Sequence, residues 1–383
     1  MKKRILSILL CLLLVSPFAS CTRTGSQTPD SQESSSAGQT QSDVSDSEES
    51  REIIEGREVV TKEEVNSFDP EYIRLFGRTL VQSGKLLLGN VGTGAELCFY
   101  GTSLSAYFTS ANITLYCSVF IDEDTEGTFT PILRNGVITL AEGLEEGVHT
   151  VRILKASSSQ NGDLQLSDLS TDGKFLAPEE PGLRIEFVGD SITAGAGVYA
   201  QSDEACSVAN SDGTKSYAYR TAQALDADFS LVAIEGICVQ GKGPLRINML
   251  EMYTQYSSIR PAAYPFPYSH DIVVVALGTN DSWYLSSNPQ TYSQQQFTAD
   301  YLALLSLIRS HNPDAYIVCV YGMMGSDQRI TDGIQEAIGQ SEDSKISFCP
   351  LPAGTDGGEA HPSAQNALTQ ASVLTDYLNG LID

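Results

Sequence analysis

The sequence has little positive charge. It contains 23 Lys and Arg against 48 Asp and Glu, which gives a formal net charge of −25 over 383 residues. Nucleic-acid binding needs a basic surface, so this balance argues against a nucleic-acid partner. It also argues against electrostatic docking on anionic lipid. Hydrophobic residues make up 41% of the chain, which is enough to build a packed core.

Zinc-type cysteine pairs and long apolar runs are also missing. No two of the eight cysteines form a Cys-x-x-Cys pair, which argues against a zinc site of that kind. Six cysteines follow Cys21, and one interpretation joins Cys206 to Cys238 in a disulfide. Beyond the first residues, no stretch is apolar for long enough to span a bilayer.

The first 21 residues predict a secretory signal peptide. Positive residues 2–4 precede an apolar run over residues 5–15, and the small residues before Cys21 resemble a bacterial lipobox. Lipid on Cys21 would anchor the mature protein to the membrane without spanning it. The alternative is an ordinary signal peptide followed by a chance cysteine. Residues 22–60 are polar and predict a flexible tether, so we expect an extracellular, cell-surface lipoprotein of a bacterium.

Two different hydrophobic patterns predict two folded domains. Residues 61–180 contain short runs rich in β-branched and aromatic residues between Gly, Asn and Asp, which predicts a β-sandwich or jelly roll. Residues 181–383 alternate strand-like and helical patterns, which predicts an α/β domain with a parallel sheet between helices. We expect a monomer, with the substrate cleft between the two domains.

One stretch of the β domain begins like a calcium loop at Asp122. An EF-hand needs Glu at the twelfth position, where this chain has Leu133. A hairpin turn is therefore the preferred interpretation, and no metal site is predicted.

Residues with catalytic chemistry follow the strands of the α/β domain. In an open parallel sheet, binding sites form beyond the carboxyl ends of the strands. Those ends carry Ser191, a glycine-rich turn over residues 236–243, Asn280 and His361. This set offers a nucleophile, oxyanion donors and a base, which are the groups that acyl transfer needs. The other three histidines fall at structural positions, so His361 is the candidate base.

These motifs resemble those of the SGNH, or GDSL-type, hydrolases. GDS ends at Ser191, GTND occupies residues 278–281, and a late His-Pro pair begins at His361. The resemblance covers residues 183–383 and implies a three-layer α/β/α fold. It also implies that Ser191 is the nucleophile and that His361 is the general base.

The resemblance further implies an oxyanion hole. Its donors would be the N–H of Ser191, the N–H of Gly241 and the side-chain amide of Asn280. Each donor of this kind is worth about 3–4 kcal/mol on the barrier. No metal or organic cofactor is implied.

The β domain narrows the resemblance to carbohydrate esterase family 2. The segments GTSLSAYF and YCSVFID, followed by RIEFVGDSITAGAG, are similar to that family. Its members join a β-sandwich to an SGNH domain and remove O-acetyl groups from plant polysaccharides. Gln240 replaces the Ser that typical members carry.

Two residues near Asn280 are predicted to bind substrate. Trp283 could stack on a sugar ring, and its alternative is a packed loop aromatic. Asp281 is the second predicted contact, and its alternative is to order the Asn280 loop. A catalytic carboxylate pair of Asp190 and Asp281, as in glycosidases, is the less favoured interpretation.

The group that orients His361 is left open by the sequence. The general SGNH pattern has Asp three residues before the catalytic His, and here that position is Gly358. Some group must fix the imidazole tautomer and stabilise imidazolium. The candidates are Glu359, Asp356 and a backbone carbonyl that supports a Ser–His dyad. The related esterases favour Glu359, because their acid lies two residues before the His.

Together these features predict a surface-anchored serine esterase that removes acetyl groups from polysaccharides or oligosaccharides such as xylan or glucomannan. One alternative is a small-acyl esterase that acts on a non-carbohydrate substrate. A second alternative is a glycan-binding protein built on a degenerate esterase, which the missing Asp keeps open.

Overall fold

A computed structural model gives the fold of the chain. It describes residues 50–54, 57–65, 69–110, 114–133, 135–179, 182–241 and 247–382. The predicted signal peptide, the predicted lipidation site Cys21 and residues 22–49 of the predicted tether lie outside the described residues.

The N-terminal domain is a sandwich of two antiparallel sheets. The larger sheet has the order β1-β2-β13-β6-β11-β8-β9, with β3 also paired to β6, and the smaller has the order β10-β7-β12-β5-β4. Apolar side chains from both sheets meet in one core, as alternating strands require. The strands are β1 (Ser50–Ile54), β2 (Arg57–Lys62), β3 (Ile73–Phe76), β4 (Leu80–Gln82), β5 (Lys85–Leu88), β6 (Gly94–Gly101), β7 (Leu104–Ser110), β8 (Leu115–Ile121), β9 (Thr128–Ile132), β10 (Gly136–Ala141), β11 (Gly147–Lys155), β12 (Leu164–Thr171) and β13 (Lys174–Leu176).

The sandwich begins earlier in the chain than the sequence predicts. β1 and β2 form a hairpin, and β13 pairs β2 to the rest of the larger sheet. Residues 50–54 and 57–60 of the predicted tether therefore belong to the domain, which corrects the boundary at residue 61. The sequence pattern missed these strands because they are short and contain as many charged as β-branched residues, which keeps their apolar content low.

The turn after β8 is the hairpin connection that the sequence favours over a calcium loop. The carboxylate of Asp124 accepts hydrogen bonds from the N–H groups of Glu126 and Gly127, at 2.9 and 3.0 Å. Within the described residues, no group of three or more His, Cys, Asp or Glu side chains is placed to hold a metal ion.

The second domain is a parallel sheet between helices, as predicted. Its strand order is β15-β14-β18-β19-β20, and an apolar cluster covers each face. Among the described helices, none combines the length and the apolar character that a membrane span needs. The elements are β14 (Leu183–Gly189), α1 (Tyr217–Ala224), β15 (Ala227–Ala233), α2 (Met249–Met252), β16 (Gln255–Ser257), β17 (Arg260–Ala263), β18 (Ile272–Ala276), α3 (Thr279–Ser287), α4 (Gln294–His311), β19 (Tyr316–Tyr321), α5 (Gln328–Ser341), β20 (Ile346–Pro350) and α6 (Ala364–Ile382).

The two domains pack through a buried polar and aromatic contact. Arg78 of the sandwich donates to Glu186 in β14 at 3.0 Å, and neither side chain is exposed. The ring of Phe76 stacks on Phe229 in β15 with centroids 5.0 Å apart. Because these partners lie in β14 and in the edge strand β15 beside it, the contacts fix the sandwich against the sheet whose ends carry the candidate site.

Candidate active site

Ser191 lies in a tight turn at the end of β14. A Cβ at Gly189 would lie 2.0 Å from Oγ1 of Thr193, so only glycine fits there. The N–H of Ile192 donates to Oδ1 of Asp190 at 3.0 Å, within the same turn. Hydrogen bonds inside this one segment therefore present Ser191 at the carboxyl end of the sheet.

The structure brings Ser191 and His361 together. Oγ of Ser191 lies 2.8 Å from Nε2 of His361. His361 lies in the loop between β20 and α6, at the same end of the sheet. This distance allows direct proton transfer between a hydroxyl nucleophile and its base.

The other ring nitrogen of His361 is bonded to the main chain. Nδ1 lies 2.9 Å from the carbonyl oxygen of Gly358. Since a carbonyl only accepts, Nδ1 carries the proton and Nε2 is left to accept one from Ser191. This is the Ser–His dyad arrangement that the sequence left open.

The two candidate acids make other contacts. Oδ1 of Asp356 accepts from the N–H of Ser363 at 3.4 Å. The carboxylate of Glu359 lies near the thiol of Cys206 and raises the pKa of that thiol. The direct partner of Nδ1 is therefore the Gly358 carbonyl and not Glu359. The left-handed backbone of Glu359 (φ +49°) accounts for this, because it folds the preceding carbonyl back towards His361.

The loop that carries His361 is strained and is held from outside. Glu359 and Ala360 both have positive φ, at +49° and +59°. This conformation costs a non-glycine residue about 1–2 kcal/mol and persists only where the surroundings enforce it. The enforcing contacts come from residues 197–206, which we call the docking segment. Three successive N–H groups of the loop donate to its carbonyl oxygens: Gly358 to Gly197 at 2.9 Å, Glu359 to Glu204 at 2.9 Å and Ala360 to Ser202 at 3.3 Å.

Asn280 lies in the first turn of α3, where the sequence analysis had placed only a loop. Its Nδ2 donates to Oδ2 of Asp190 at 3.3 Å and to the carbonyl oxygen of Ile237 at 3.1 Å. Both amide protons therefore have protein acceptors. A developing oxyanion would have to replace one of these acceptors to receive a hydrogen bond from Asn280.

Gly241 closes the described part of the glycine-rich turn. A Cβ at this position would lie 2.8 Å from the ring of Tyr284, so the close approach of α3 requires glycine. Residues 242–246 lie outside the described residues. The oxyanion role of the Gly241 N–H stays a prediction.

Asp190 and Asp281 are buried acids. Burial raises the pKa of each from its ordinary value of 3.8 to about 7. Both oxygens of Asp281 accept from the N–H of Val239, at 3.0 and 3.2 Å, and its side chain is 0% exposed. Burial corrects the prediction that Asp281 contacts substrate: it instead ties α3 to the glycine-rich turn. It also argues against a solvent-facing carboxylate pair.

Trp283 faces outward from α3. Its side chain is 60% exposed, which does not fit a packed loop aromatic. An exposed indole two residues after Asp281 is available to a ligand. Stacking on a sugar ring stays a prediction.

The remaining histidines make local structural contacts. These are His149 with Asp122 and the Glu145 carbonyl, His270 with Asn312, and His311 with the ring of Phe266.

All six described cysteines are free, so the disulfide between Cys206 and Cys238 is not formed. Cys206 lies instead beside the loop that carries His361, with Sγ 3.7 Å from Nδ1. Sequence reasoning placed Cys206 on this side of the sheet and missed this contact. The sequence around a single loop cysteine does not indicate that this cysteine contacts a side chain 155 positions further along the chain.

Comparisons with known proteins match both domains. Residues 187–368 match the GDSL-like Lipase/Acylhydrolase family, and residues 75–179 match the Carbohydrate esterase 2 N-terminal domain. The Cellulase/esterase CelE of Acetivibrio thermocellus is 30% identical over 304 residues, which cover 74% of this chain and 36% of that protein. The chain thus spans little more than a third of that relative.

Two further relatives are covered over most of their length. An acetylxylan esterase / glucomannan deacetylase of Cellvibrio japonicus is 25% identical over 334 residues, covering 82% of this chain and 90% of that protein. A family two carbohydrate esterase from Clostridium thermocellum, whose structure is in complex with cellohexaose, has a TM-score of 0.73 at 26% identity. That match covers 81% of this chain and 99% of the other.

The motifs, the two-domain fold and these matches agree. The chain is a carboxylic ester hydrolase, and it belongs to the SGNH (GDSL-type) hydrolases that carry a carbohydrate esterase family 2 N-terminal domain.

Proposed function

We propose that this esterase removes acetyl groups from plant polysaccharides such as xylan or glucomannan, or from their oligosaccharides. The observation that carries the proposal is the 2.8 Å contact between Oγ of Ser191 and Nε2 of His361. The acetylxylan esterase / glucomannan deacetylase similar to this chain supports the choice of substrate. The exposed Trp283 on α3 supports a carbohydrate ligand, because a flat ring can stack on a sugar.

The acylation step uses Ser191 as the nucleophile. Its Oγ attacks the acetyl carbonyl carbon while Nε2 of His361 takes the hydroxyl proton. When the tetrahedral intermediate collapses, His361 returns this proton to the sugar oxygen, which leaves as a free hydroxyl. The acetyl group stays on Ser191. Throughout this step the Gly358 carbonyl holds the ring through Nδ1–H.

Deacylation repeats the same proton movements with water. His361 takes a proton from a water molecule, whose oxygen attacks the acyl carbon. The second intermediate collapses to acetic acid as His361 returns its proton to Oγ of Ser191, and the acid then ionises to acetate by losing its own proton to solvent. Every proton that leaves a nucleophile passes through Nε2 and is given back, so no cofactor is consumed.

The oxyanion hole of the proposal requires an exchange at Asn280. In the described site its amide protons go to Asp190 and to the Ile237 carbonyl. An oxyanion is a stronger acceptor than a neutral carbonyl, so it would displace the Ile237 contact. A hydrogen bond from Asn280 that strengthens only as the oxyanion forms stabilises the transition state more than the bound substrate, and it therefore lowers the barrier.

The test of the proposal is acetate release from acetylated xylan and acetylated glucomannan. We expect release by the wild type, none measurable by Ser191→Ala, and full release by Ser306→Ala, a serine exposed on α4. No release from either substrate would contradict the deacetylase. Hydrolysis of short aryl esters alone would indicate the small-acyl esterase, and glycan binding without any hydrolysis would indicate the degenerate binding protein.

The proposal includes export and a lipid anchor at Cys21, supported by the charged and apolar pattern of residues 1–21. The test is incorporation of labelled fatty acid by the full chain in a bacterial host. We expect label in the wild type and in Cys11→Ser, which removes the other cysteine of this segment, and no label in Cys21→Ser. An unlabelled wild type, or a labelled Cys21→Ser, would contradict the anchor.

A further inference from the structure

Cys206 lies beside three groups of the catalytic loop, the loop between β20 and α6 that carries His361. Its Sγ is 3.4 Å from the carbonyl oxygen of Gly358 and 3.7 Å from Nδ1 of His361. The carboxylate of Glu359 lies near enough to raise the pKa of this thiol. One sulfur atom thus contacts both the base and the carbonyl that orients the base.

The docking segment and the loop that carries His361 both pack closely against this sulfur, whose residue is half-buried. A Cβ at Gly197 would lie 2.7 Å from Sγ and 2.9 Å from Cα of Gly358. The N–H of Gly358 donates to the Gly197 carbonyl at 2.9 Å. Cys206 therefore fills the gap between two closely packed backbones, and its sulfur has little room to move away from the Gly358 carbonyl.

The thiol is suited to hold the carbonyl without adding charge. Burial raises the pKa of the Cys206 thiol to about 12, and the nearby Glu359 carboxylate adds to this rise. The S–H group therefore stays neutral at ordinary pH. It donates to the Gly358 carbonyl oxygen, with Sγ 3.4 Å away. That oxygen also accepts from the backbone N–H and from Nδ1–H of His361, both at 2.9 Å, so the thiol is its third and longest contact.

We propose that Cys206 is a positioning residue for His361. It anchors the Gly358 carbonyl against the strained loop and thereby keeps the imidazole in line with Oγ of Ser191. The inference rests on the proposed Ser–His chemistry.

The experiment compares Cys206→Ala and Cys206→Ser with a matched control, Cys349→Ala. Cys349 is a buried cysteine of β20 whose side chain belongs to the apolar core on one face of the parallel sheet. We expect Cys206→Ala to lower kcat about tenfold, since a small misplacement of a catalytic group is costly. KM should stay within about twofold, because no substrate contact is removed. Cys206→Ser keeps a short donor and should recover part of kcat, and Cys349→Ala should keep all of it.

A second readout follows the hydrogen bond itself. The proton between Nδ1 of His361 and the Gly358 carbonyl gives a far-downfield NMR resonance that belongs to this contact. We expect it to shift or broaden in Cys206→Ala and to stay in place in Cys349→Ala. Melting curves establish that each variant is folded. An unchanged kcat in Cys206→Ala would overturn the proposal, and so would a lowered kcat with an unchanged resonance.

The two readouts also separate this proposal from the proposed function. If the wild type releases no acetate from any substrate, the deacetylase fails while the resonance still reports on Cys206. If the wild type is active and Cys206→Ala is equally active, the positioning role fails and the deacetylase stands. Loss of activity with a raised KM and an unchanged kcat would also overturn the positioning role, because it would place Cys206 at the substrate.

Discussion

The nucleophile and the base of this esterase are held in two different ways. Ser191 lies in a turn that is fixed by hydrogen bonds inside its own segment, directly after a buried strand. His361 lies in a loop with two left-handed residues, and the docking segment, residues 197–206, holds that loop from outside. Substitutions around Ser191 should therefore act on the chemistry, whereas substitutions around His361 should act first on geometry and stability.

Buried charge differs between the two regions as well. Beside Ser191, Asp190 and Asp281 are buried acids whose pKa is raised to about 7. The acid of the His361 loop, Glu359, is exposed. The stability of the Ser191 region should therefore depend on pH through its buried carboxyl groups, whereas the loop of His361 is held mainly by backbone hydrogen bonds.

The largest expected effect tests whether the two regions act as one catalytic unit. We expect Ser191→Ala and His361→Ala each to lower kcat by at least about 10³-fold, and the double variant to lose no more than either one, because proton transfer needs both partners. The measurement is kcat on an aryl acetate. Losses that multiply in the double variant would mean that the residues act independently.

The next effect concerns the oxyanion donor on the nucleophile side. We expect Asn280→Ala to lower kcat about 10²–10³-fold with little change in KM, because the donor matters most when charge develops. Asn288→Ala, which alters the residue at the other end of α3, is the matched control and should keep kcat. An equal fall of kcat in both variants would point to damage of the helix instead.

The comparison also shows what could be predicted from the sequence. The Ser191 turn directly follows an apolar strand, so its place in the fold and in the site could be predicted from the local sequence. Both Ser191 and His361 follow predicted strands of the parallel sheet, which places them at one end of that sheet. The partner of His361 could not be predicted this way. Its carbonyl is presented by the backbone conformation at Glu359, and its support comes from Cys206, far away in sequence.

Contacts between residues that are far apart in sequence also explain two other wrong predictions, the start of the sandwich and the role of Asp281. The sequence pattern predicts a tether over β1 and most of β2, because such short charged segments are stabilised as strands only by pairing, β1 with β2 and β2 with β13. Asp281 was assigned to substrate because its place beside Asn280 cannot reveal that its side chain turns inward to the N–H of Val239. Sequence pattern predicts which face of an element is apolar, whereas it does not predict which polar groups meet across the fold.

A pH experiment sharpens the contrast in buried charge. Burial raises the pKa of Asp281 from 3.8 to about 7, so between these values the folded state binds more protons than the unfolded state. The contribution of Asp281 to stability should therefore be greatest below about pH 4 and be lost as the pH rises to about 7. Asp281→Asn cannot ionise, so its melting temperature should fall less over this range. Parallel curves for both proteins would contradict the raised pKa.

A pair of glycine variants tests the docking of the His361 loop. Gly197 and Gly143 have similar φ, +63° and +68°, but a Cβ at Gly197 would meet Sγ of Cys206 at 2.7 Å, whereas a Cβ at Gly143 would meet nothing within 4 Å. We expect Gly143→Ala to cost only the backbone strain, about 1–2 kcal/mol of unfolding free energy. Gly197→Ala should cost more and should also lower kcat. Equal losses of stability with full activity would show that the docking segment does not hold the loop.

The smallest expected effect tests the strain itself. Ala360 is exposed at φ +59°, and Ala360→Gly removes a left-handed penalty of about 1–2 kcal/mol while adding about 0.5–1 kcal/mol of backbone entropy cost. The free energy of unfolding should therefore rise slightly in a denaturant titration. Ala299→Gly, at an exposed helical position in α4, should instead lower it by about 1 kcal/mol. Both variants replace alanine by glycine, so changes of opposite sign in the free energy of unfolding would indicate backbone strain at Ala360. If both variants lost stability equally, the left-handed backbone before His361 would store no strain, and its hydrogen bonds to the docking segment would not be needed to enforce it.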